Sequence, residues 1–324
     1  MKILAYVHGY PPNLNAGAEM MLHQILLDLK SRGHQVTVMT QNPGAREYEG
    51  IRISDSSLDI YEKLFEWCDI VITHLNLTKD AVELGKKYEK KIVHIVHNDF
   101  VYFLHKDYKF KDKEVLDKDA AHLVIANSEW IKNSINPALD TIVVNPPTNP
   151  EKYSCDTDRR FITLVNLAED KGSSLFWEIA KRMPGEEFLG VKGGWGKQIT
   201  PKRLNNATVM GNTTNTKSFY GLTKILVMPS YYESWGRVAI EASCSGIPVV
   251  AAATSGLKES LGYAGIFVNG HNPDDWIKAI KSLDDPDVYA KYSKATKKRS
   301  AELANIFVAQ MDLLENKLLG ILDK

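Results

Sequence analysis

The sequence predicts an α/β protein made of two doubly wound, Rossmann-like domains. Three observations predict it. Short apolar runs alternate with amphipathic segments from the first residues onward, as in successive βα units. A proline-rich stretch from Asn145 to Pro150 interrupts this alternation, which restarts beyond it. Finally, the run from Ile225 to Ala253 reads strand, helix, strand, with two carboxylates, Glu233 and Glu241, set around the helix start.

Taken in order, Ile3–Val7 is apolar enough for a strand. It ends in a loop, residues 8–17, whose glycines and prolines exclude a helix. From Ala18 the pattern turns helical, with Leu22, Ile25 and Leu29 on one face, and it stops at Gly33. Gln35–Met39 is the second strand. Strand, glycine-containing loop, helix and strand make the first unit of a doubly wound sheet. The loop is too long for a dinucleotide fingerprint and holds no G-x-G-x-x-G. Further strands are expected at Ile70–Thr73, Ile92–His97, Leu123–Ala126 and Ile142–Val144. Helices are expected at Leu58–Trp67, Lys79–Lys90 and Ser128–Ile135. Residues 105–119 carry lysine and aspartate of mixed sign and read as a solvated helix or loop.

Past the prolines, strands are expected at Phe161–Val165, Phe188–Val191, Thr208–Met210, Ile225–Met228, Ile247–Ala253 and Gly265–Val268. The helices between them are Ser173–Met183, Thr216–Leu222, a short one from Gly236 to Gly246, Pro273–Leu283 and Val288–Leu303. Thr254, Ser255 and Gly256 read as a turn. The last segment, Phe307–Leu322, is amphipathic, with Val308, Met311, Leu314, Leu318 and Ile321 on one face. Two such domains leave a cleft between their strand ends, where ligands of this architecture bind.

The totals narrow the class. With 44% hydrophobic and 25% charged residues, the 324-residue chain has the composition of a soluble globular protein. Its formal net charge is zero, which gives no reason to expect nucleic acid as a partner. Three separated cysteines, Cys68, Cys155 and Cys244, make neither a disulfide framework nor a zinc site and suggest a reducing compartment. No signal-peptide pattern opens the chain, and no apolar run approaches the roughly 20 residues that span a bilayer. The expectation is a cytoplasmic protein. Lys297, Lys298 and Arg299 could support weak contact with anionic lipid, although one turn of charge is usually only solvated.

The chemistry concentrates after Met228. Carboxylates around a helix start that offers free backbone N–H groups suit a ligand carrying hydroxyls and phosphates, as a nucleotide sugar does. The segment from Tyr232 through Glu233, Gly236 and Glu241, followed by Gly246 and Pro248, resembles the E-x7-E signature of retaining GT-B glycosyltransferases, especially family 4. Other landmarks resemble that family in the same order. They are Gly17-Ala18-Glu19, His97-Asn98-Asp99, Asn127-Ser128-Glu129, Asn145-Pro146-Pro147, Lys171-Gly172 and Gly256-Leu257-Lys258-Glu259. The similarity covers most of the chain.

The resemblance implies a GT-B fold, two Rossmann-like domains facing a central cleft. Residues 1–148 would be the acceptor-side domain and residues 149–306 the nucleotide-sugar domain, with 307–324 a helix crossing back. It implies transfer of a sugar from a nucleoside diphosphate sugar, UDP- or GDP-linked, to a hydroxyl on a glycan, lipid-linked or small acceptor, with retention of anomeric configuration. Glu233, His97 and Lys171 would be the catalytic residues. Lys171 would hold the diphosphate, together with the N–H groups of Ser234, Trp235, Gly236, Arg237 and Val238. Glu241 would accept from both ribose hydroxyls, since a carboxylate offers two acceptor oxygens in one plane. Gly17 would admit phosphate or acceptor close to the backbone. Where the family usually carries a diphosphate-binding arginine, this chain has Asn166. Either the position belongs to a subset with asparagine, or Arg237 or Lys192 takes the role.

No His, Cys or Asp cluster has metal-ligand spacing, so no cofactor or obligatory metal is expected. Asp156-Thr157-Asp158 spells a D-x-D but precedes a strand instead of following one, and reads as incidental. His94 should pack against a helix, three residues from His97 and on the opposite face. His74 also ends a strand and is a candidate for the cleft. Two alternatives share the fold: a sugar-nucleotide epimerase, or a binding protein without turnover.

Overall fold

The computed structural model describes residues 1–323 apart from 42, 57–59, 100–120, 136 and 195. The mixed-charge stretch 105–119, and Leu58 as the start of a helix, lie outside the described residues. The chain divides into two compact units, Met1–Pro147 with Phe307–Lys324, and Thr148–Ile306.

Unit 1 runs β1 (Lys2–Val7), α1 (Gly17–Ser31), β2 (Gln35–Thr40), β3 (Glu47–Tyr48), β4 (Ile51–Asp55), α2 (Tyr61–Trp67) and β5 (Ile70–His74). It continues with α3 (Thr78–Lys87), β6 (Lys91–Val96), β7 (Leu123–Ala126), α4 (Glu129–Lys132) and β8 (Thr141–Val143). Among the described residues the sheet order is β3-β4-β2-β1-β5-β6-β7-β8, parallel except for the β3–β4 pair. Strand β1 is central, with Ile3 opposite Val36 on one side and Ile70 on the other. Its side chains alternate between two cores. Ile3, Ala5 and Val7 enter one, Leu4 and Tyr6 the other, because successive strand residues point to opposite faces.

Unit 2 runs α5 (Pro150–Tyr153), β9 (Phe161–Val165), α6 (Ser173–Arg182), β10 (Glu187–Val191), β11 (Ala207–Met210), α7 (Lys217–Tyr220) and β12 (Thr223–Met228). Then come α8 (Arg237–Cys244), β13 (Val249–Ala252), α9 (Ser255–Leu261), β14 (Gly265–Val268), α10 (Pro273–Lys281) and α11 (Pro286–Leu322). Its parallel sheet has the order β11-β10-β9-β12-β13-β14. Ile225 and Val227 of β12 enter one core and Leu226 and Met228 the other.

Three expectations are corrected, and one strand pair is new. The antiparallel β3–β4 pair was not anticipated: β3 has only two residues and so no period, and the five residues of β4, with exposed Arg52 between buried Ile51 and Ile53, were not read as a strand. The turn at Thr254–Gly256 is the start of α9, with the Thr254 side chain accepting from the Leu257 N–H. Asn149 and Pro150, read as linker, cap and open α5. The helices expected at 288–303 and 307–322 are one helix, α11, since neither glycine nor proline lies between Asp287 and Leu319. Its buried positions change partners along its length. Tyr289 and Leu303 join unit 2 cores, whereas Met311, Leu314, Leu318 and Ile321 join a unit 1 core, and Val308, expected on the same face, is exposed. Each of these four side chains contributes about 1.5–3 kcal/mol when fully buried. No helix of the described residues is long and apolar enough to cross a membrane.

Candidate active site

In unit 2 the chain winds outward from β9 to β10 and β11, and from β12 to β13 and β14 in the other direction. The loops leaving the carboxyl ends of β9 and β12 therefore diverge, and a crevice forms at this topological switch point. Close backbone contacts hold the loops together. The Tyr231 N–H donates to the Asp170 carbonyl at 2.9 Å. A Cβ on Gly172 would lie 2.2 Å from the Pro229 carbonyl oxygen, and φ there is +78°, so only glycine fits without strain. Gly256 is equally constrained, because its Cβ would lie 2.3 Å from the Glu233 carbonyl oxygen.

This packing brings Lys171 to Glu233. Lys171 Nζ donates to Glu233 Oε1 at 2.8 Å, and Ser230 Oγ donates to the same oxygen at 3.0 Å. Burial disfavours the Lys171 ammonium, but the adjacent Glu233 carboxylate, with Asp170, more than offsets it and raises the pKa above the ordinary lysine value. The cation is therefore permanent at neutral pH. Asn166, with φ +70°, shapes the loop before it. Its Oδ1 accepts from the Ala168 N–H at 3.1 Å and from Gln198 Nε2 at 3.2 Å.

Gly236, also left-handed, precedes α8 and provides no side-chain cap, which leaves the amides at the helix start for an anionic ligand. Ser234 and Val238 flank this start and are partly exposed, whereas Trp235 is buried and its indole N–H has no hydrogen-bond partner. Glu241 is buried one turn further on. Arg237 Nε lies 2.8 Å from its Oε1, and the Tyr220 hydroxyl donates to Oε2 at 3.0 Å. That arginine contact has the distance of an ion pair but not a hydrogen bond's direction, since Arg237 Nε is left without a well-directed acceptor. Arg237 also donates to the Tyr153 hydroxyl. The guanidinium thus faces both Tyr153 and Glu241. Lys192 follows β10, one strand out from β9. Burial and then Glu241 push the Tyr220 pKa well above its ordinary value, so the phenol remains a donor.

Unit 1 carries the histidines. His97, one residue past β6, places Nε2 2.8 Å from His74 Nδ1 at the end of β5, and its carbonyl accepts from Asn127 Nδ2 at 3.0 Å. His94 points elsewhere, to Thr78 Oγ1 on α3 at 3.2 Å. Burial lowers all three pKa values, His74 to about 3, His94 to about 4, and His97 well below the ordinary value. At neutral pH these rings are uncharged, and each can donate from one nitrogen and accept at the other. Gly17 opens α1, where an added Cβ would meet nothing within 4 Å, so packing alone does not require glycine there. Glu19, in the first turn of α1, is buried with Oε2 unpartnered, and burial raises its pKa.

Lys171, Glu233, Gly236 and Glu241 are therefore neighbours in unit 2, while Gly17 and His97 belong to unit 1. Sequence reasoning missed Ser230, Tyr153 and Tyr220. Only Ser230 was close enough in sequence to suggest itself, since Tyr220 meets Glu241 across 21 residues. Burial pushes the Cys68 and Cys244 thiols up to about 12, so neither is a nucleophile. Asp156-Thr157-Asp158 lies in the loop before β9, with Thr157 Oγ1 donating to the Thr223 carbonyl. Among the described residues no group of three or more His, Cys, Asp or Glu side chains could hold a metal ion.

Two Rossmann-like units in one chain are the elements of the GT-B fold, and solved structures share it. The Anabaena protein HepE in complex with UDP-glucose superposes with a TM-score of 0.76 at 18% identity, over 99% of this chain and 100% of that one. Sucrose-phosphate synthase from Thermosynechococcus elongatus gives 0.73 at 18% identity, with the same coverage. Residues 148–299 match the family described as Glycosyl transferases group 1. Curated relatives include the D-inositol 3-phosphate glycosyltransferase of Paenarthrobacter aurescens. It is 44% identical over 203 residues, which are 52% of this chain and 50% of the relative. The protein of the same name from Mycolicibacterium smegmatis is 26% identical over 189 residues, 52% of this chain and 43% of the relative. The chain thus spans half or less of the length of these relatives.

Proposed function

We propose that this protein transfers a sugar from a nucleoside diphosphate sugar to a hydroxyl acceptor, with retention of anomeric configuration. The observation that carries the reading is the Lys171–Glu233 pair beside the uncapped start of α8, with Glu241 one turn inside it. Breaking a sugar–phosphate bond loads negative charge onto the departing diphosphate, and catalysis needs fixed donors where that charge develops. Lys171 and the α8 amides supply them. Glu241, already fixed by Arg237 and Tyr220, keeps further lone pairs for the two ribose hydroxyls. Glu233 orients Lys171 and offers its remaining acceptor sites to the sugar. The neutral His97 offers a sugar hydroxyl a hydrogen bond without a charge.

UDP is the favoured nucleotide, supported by the UDP-glucose complex among the fold neighbours. A phosphorylated cyclitol is the first acceptor to try, since the curated relatives are named for inositol 3-phosphate. The test is a thermal-shift screen against UDP-, GDP-, ADP- and dTDP-sugars, followed by NMR of the product formed with D-inositol 3-phosphate. A donor at 100 times its dissociation constant should stabilise the fold by about 2.7 kcal/mol, and the product should keep the donor's anomeric configuration. Folded protein that shifts with none of these donors would sink the proposal, and an inverted product would remove retention from it.

A further inference from the structure

At the other end of the unit 2 sheet, by the amino ends of β9 and β12, lies a cavity of about 580 Å³. That is within the size range of small-molecule sites. It is separate from Lys171 and Glu233, which follow the carboxyl ends of the same strands. Its lining includes Arg159, Lys224, Lys294 and Lys297 against one carboxylate, Asp284, so four positive charges less one negative leave +3. Lys224 is committed, with Nζ 3.3 Å from Glu186 and 3.4 Å from Asp284. Asp285, at the edge, turns Oδ1 to the backbone N–H groups of Asp287 and Val288. Among the described residues, no carboxylate pairs with Arg159, Lys294 or Lys297.

Arg159 and Lys297 each rest against a neighbouring group. Arg159 has φ +53°, a backbone conformation that costs energy in a non-glycine residue. Its guanidinium carbon lies 4.8 Å from the centre of the Tyr289 ring, which supports the cation from below. The Tyr289 hydroxyl in turn donates to the Lys224 carbonyl at 2.9 Å, where the register between β9 and β12 slips. Such a slip re-aims side chains and recurs beside functional sites. Lys294 and Lys297 share one face of α11 by their spacing. The Lys297 stem is laid across Gly246, so close that a Cβ there would be 2.8 Å from its Cε. Leu283, Pro286 and Ala290 add apolar surface for a carbon skeleton.

We infer that this cavity binds a phosphate-bearing anion, with Arg159, Lys294 and Lys297 as its charge partners. Phosphate oxygens match a planar guanidinium and two ammonium groups set around one space. The ligand is either a soluble phosphorylated compound or an anionic lipid headgroup, and the two sources are separable by experiment.

The test is calorimetric titration of inorganic pyrophosphate into the wild-type chain, Lys171→Ala, and the double variant Lys294→Glu/Lys297→Glu, alone and combined with Lys171→Ala. Lys171→Ala weakens the other phosphate site, so the pyrophosphate binding it retains reports this cavity. That binding should fall about tenfold or more when the two lysines are also reversed, as expected for lost charge-assisted contacts. A cooperative melt like the wild type's shows that the double variant is folded. If it is not, Lys294→Gln takes its place. Sedimentation with vesicles of three parts phosphatidylcholine to one part phosphatidylglycerol, lost in the same variant and competed by pyrophosphate, assigns the ligand to a headgroup. Variant-sensitive pyrophosphate binding without sedimentation assigns it to a soluble anion. Pyrophosphate affinity unchanged by the lysine substitutions, or absent from Lys171→Ala, overturns the inference.

Discussion

Both units hold polar side chains at the carboxyl edge of a parallel sheet, and they do so by opposite means. In unit 2 the groups stay charged, because each buried charge has a partner: Lys171 has Glu233, and Arg237 has Glu241. In unit 1, His74, His94 and His97 meet one another, Thr78 and the strand ends, and burial strips their charge. The difference teaches what each edge can bind. Under the proposed function, the fixed cation beside a helix start would serve a diphosphate and the neutral imidazoles hydroxyls, which gain little from a full charge.

The largest expected effect lies on the charged side. Lys171→Ala should lower the turnover of sugar transfer by about 10²–10³-fold, the cost of removing one preorganised donor at a developing negative charge. Steady-state kinetics with saturating donor would show it in kcat. Retention of turnover within tenfold would make the Lys171–Glu233 pair a structural contact and break the contrast between the units.

Next comes acid. The folded pKa values of His74 and His94, about 3 and about 4, lie below the ordinary 6.5. The unfolded chain therefore binds more protons as pH falls below about 6.5. Their contribution to stability is complete above that pH and drains away as pH drops towards the folded values. Between pH 7 and pH 5 each should cost about 2 kcal/mol. Urea unfolding at both pH values, repeated on His74→Asn, checks the sign, and a profile that is flat in the wild type or unchanged by the substitution would contradict neutral burial.

The smallest effect sharpens the comparison. Tyr220→Phe removes the hydroxyl that donates to Glu241 Oε2 while leaving Arg237 in place. Nucleotide affinity should weaken by roughly tenfold, from a hydrogen bond to a charged group worth about 1.5 kcal/mol. An unaltered dissociation constant, measured by calorimetry with UDP, would mean that Arg237 alone orients the carboxylate.

Much of this architecture could be read from local pattern. The alternation of Ile3, Leu4, Ala5, Tyr6 and Val7 between two cores, the helix stop at Gly33, and the break near Pro146 are written in neighbouring residues. So was the placement of Glu233 and Glu241 on either side of a helix start. Less legible were β3, with two residues too short for a period, and the continuity of α11, where a change of buried stripe near Phe307 looked like a break.

The sequence by itself determined which elements form and which carboxylates attend the start of α8, because hydrophobic period, glycine and proline act over a few residues. Tertiary structure alone decided that Arg237 faces Tyr153 and Glu241. It also decided that Gly172 must admit the Pro229 carbonyl and that three histidines lose their charge. Each of those outcomes depends on desolvation or on a partner tens of residues away. Neither quantity exists until the sheets have closed around them.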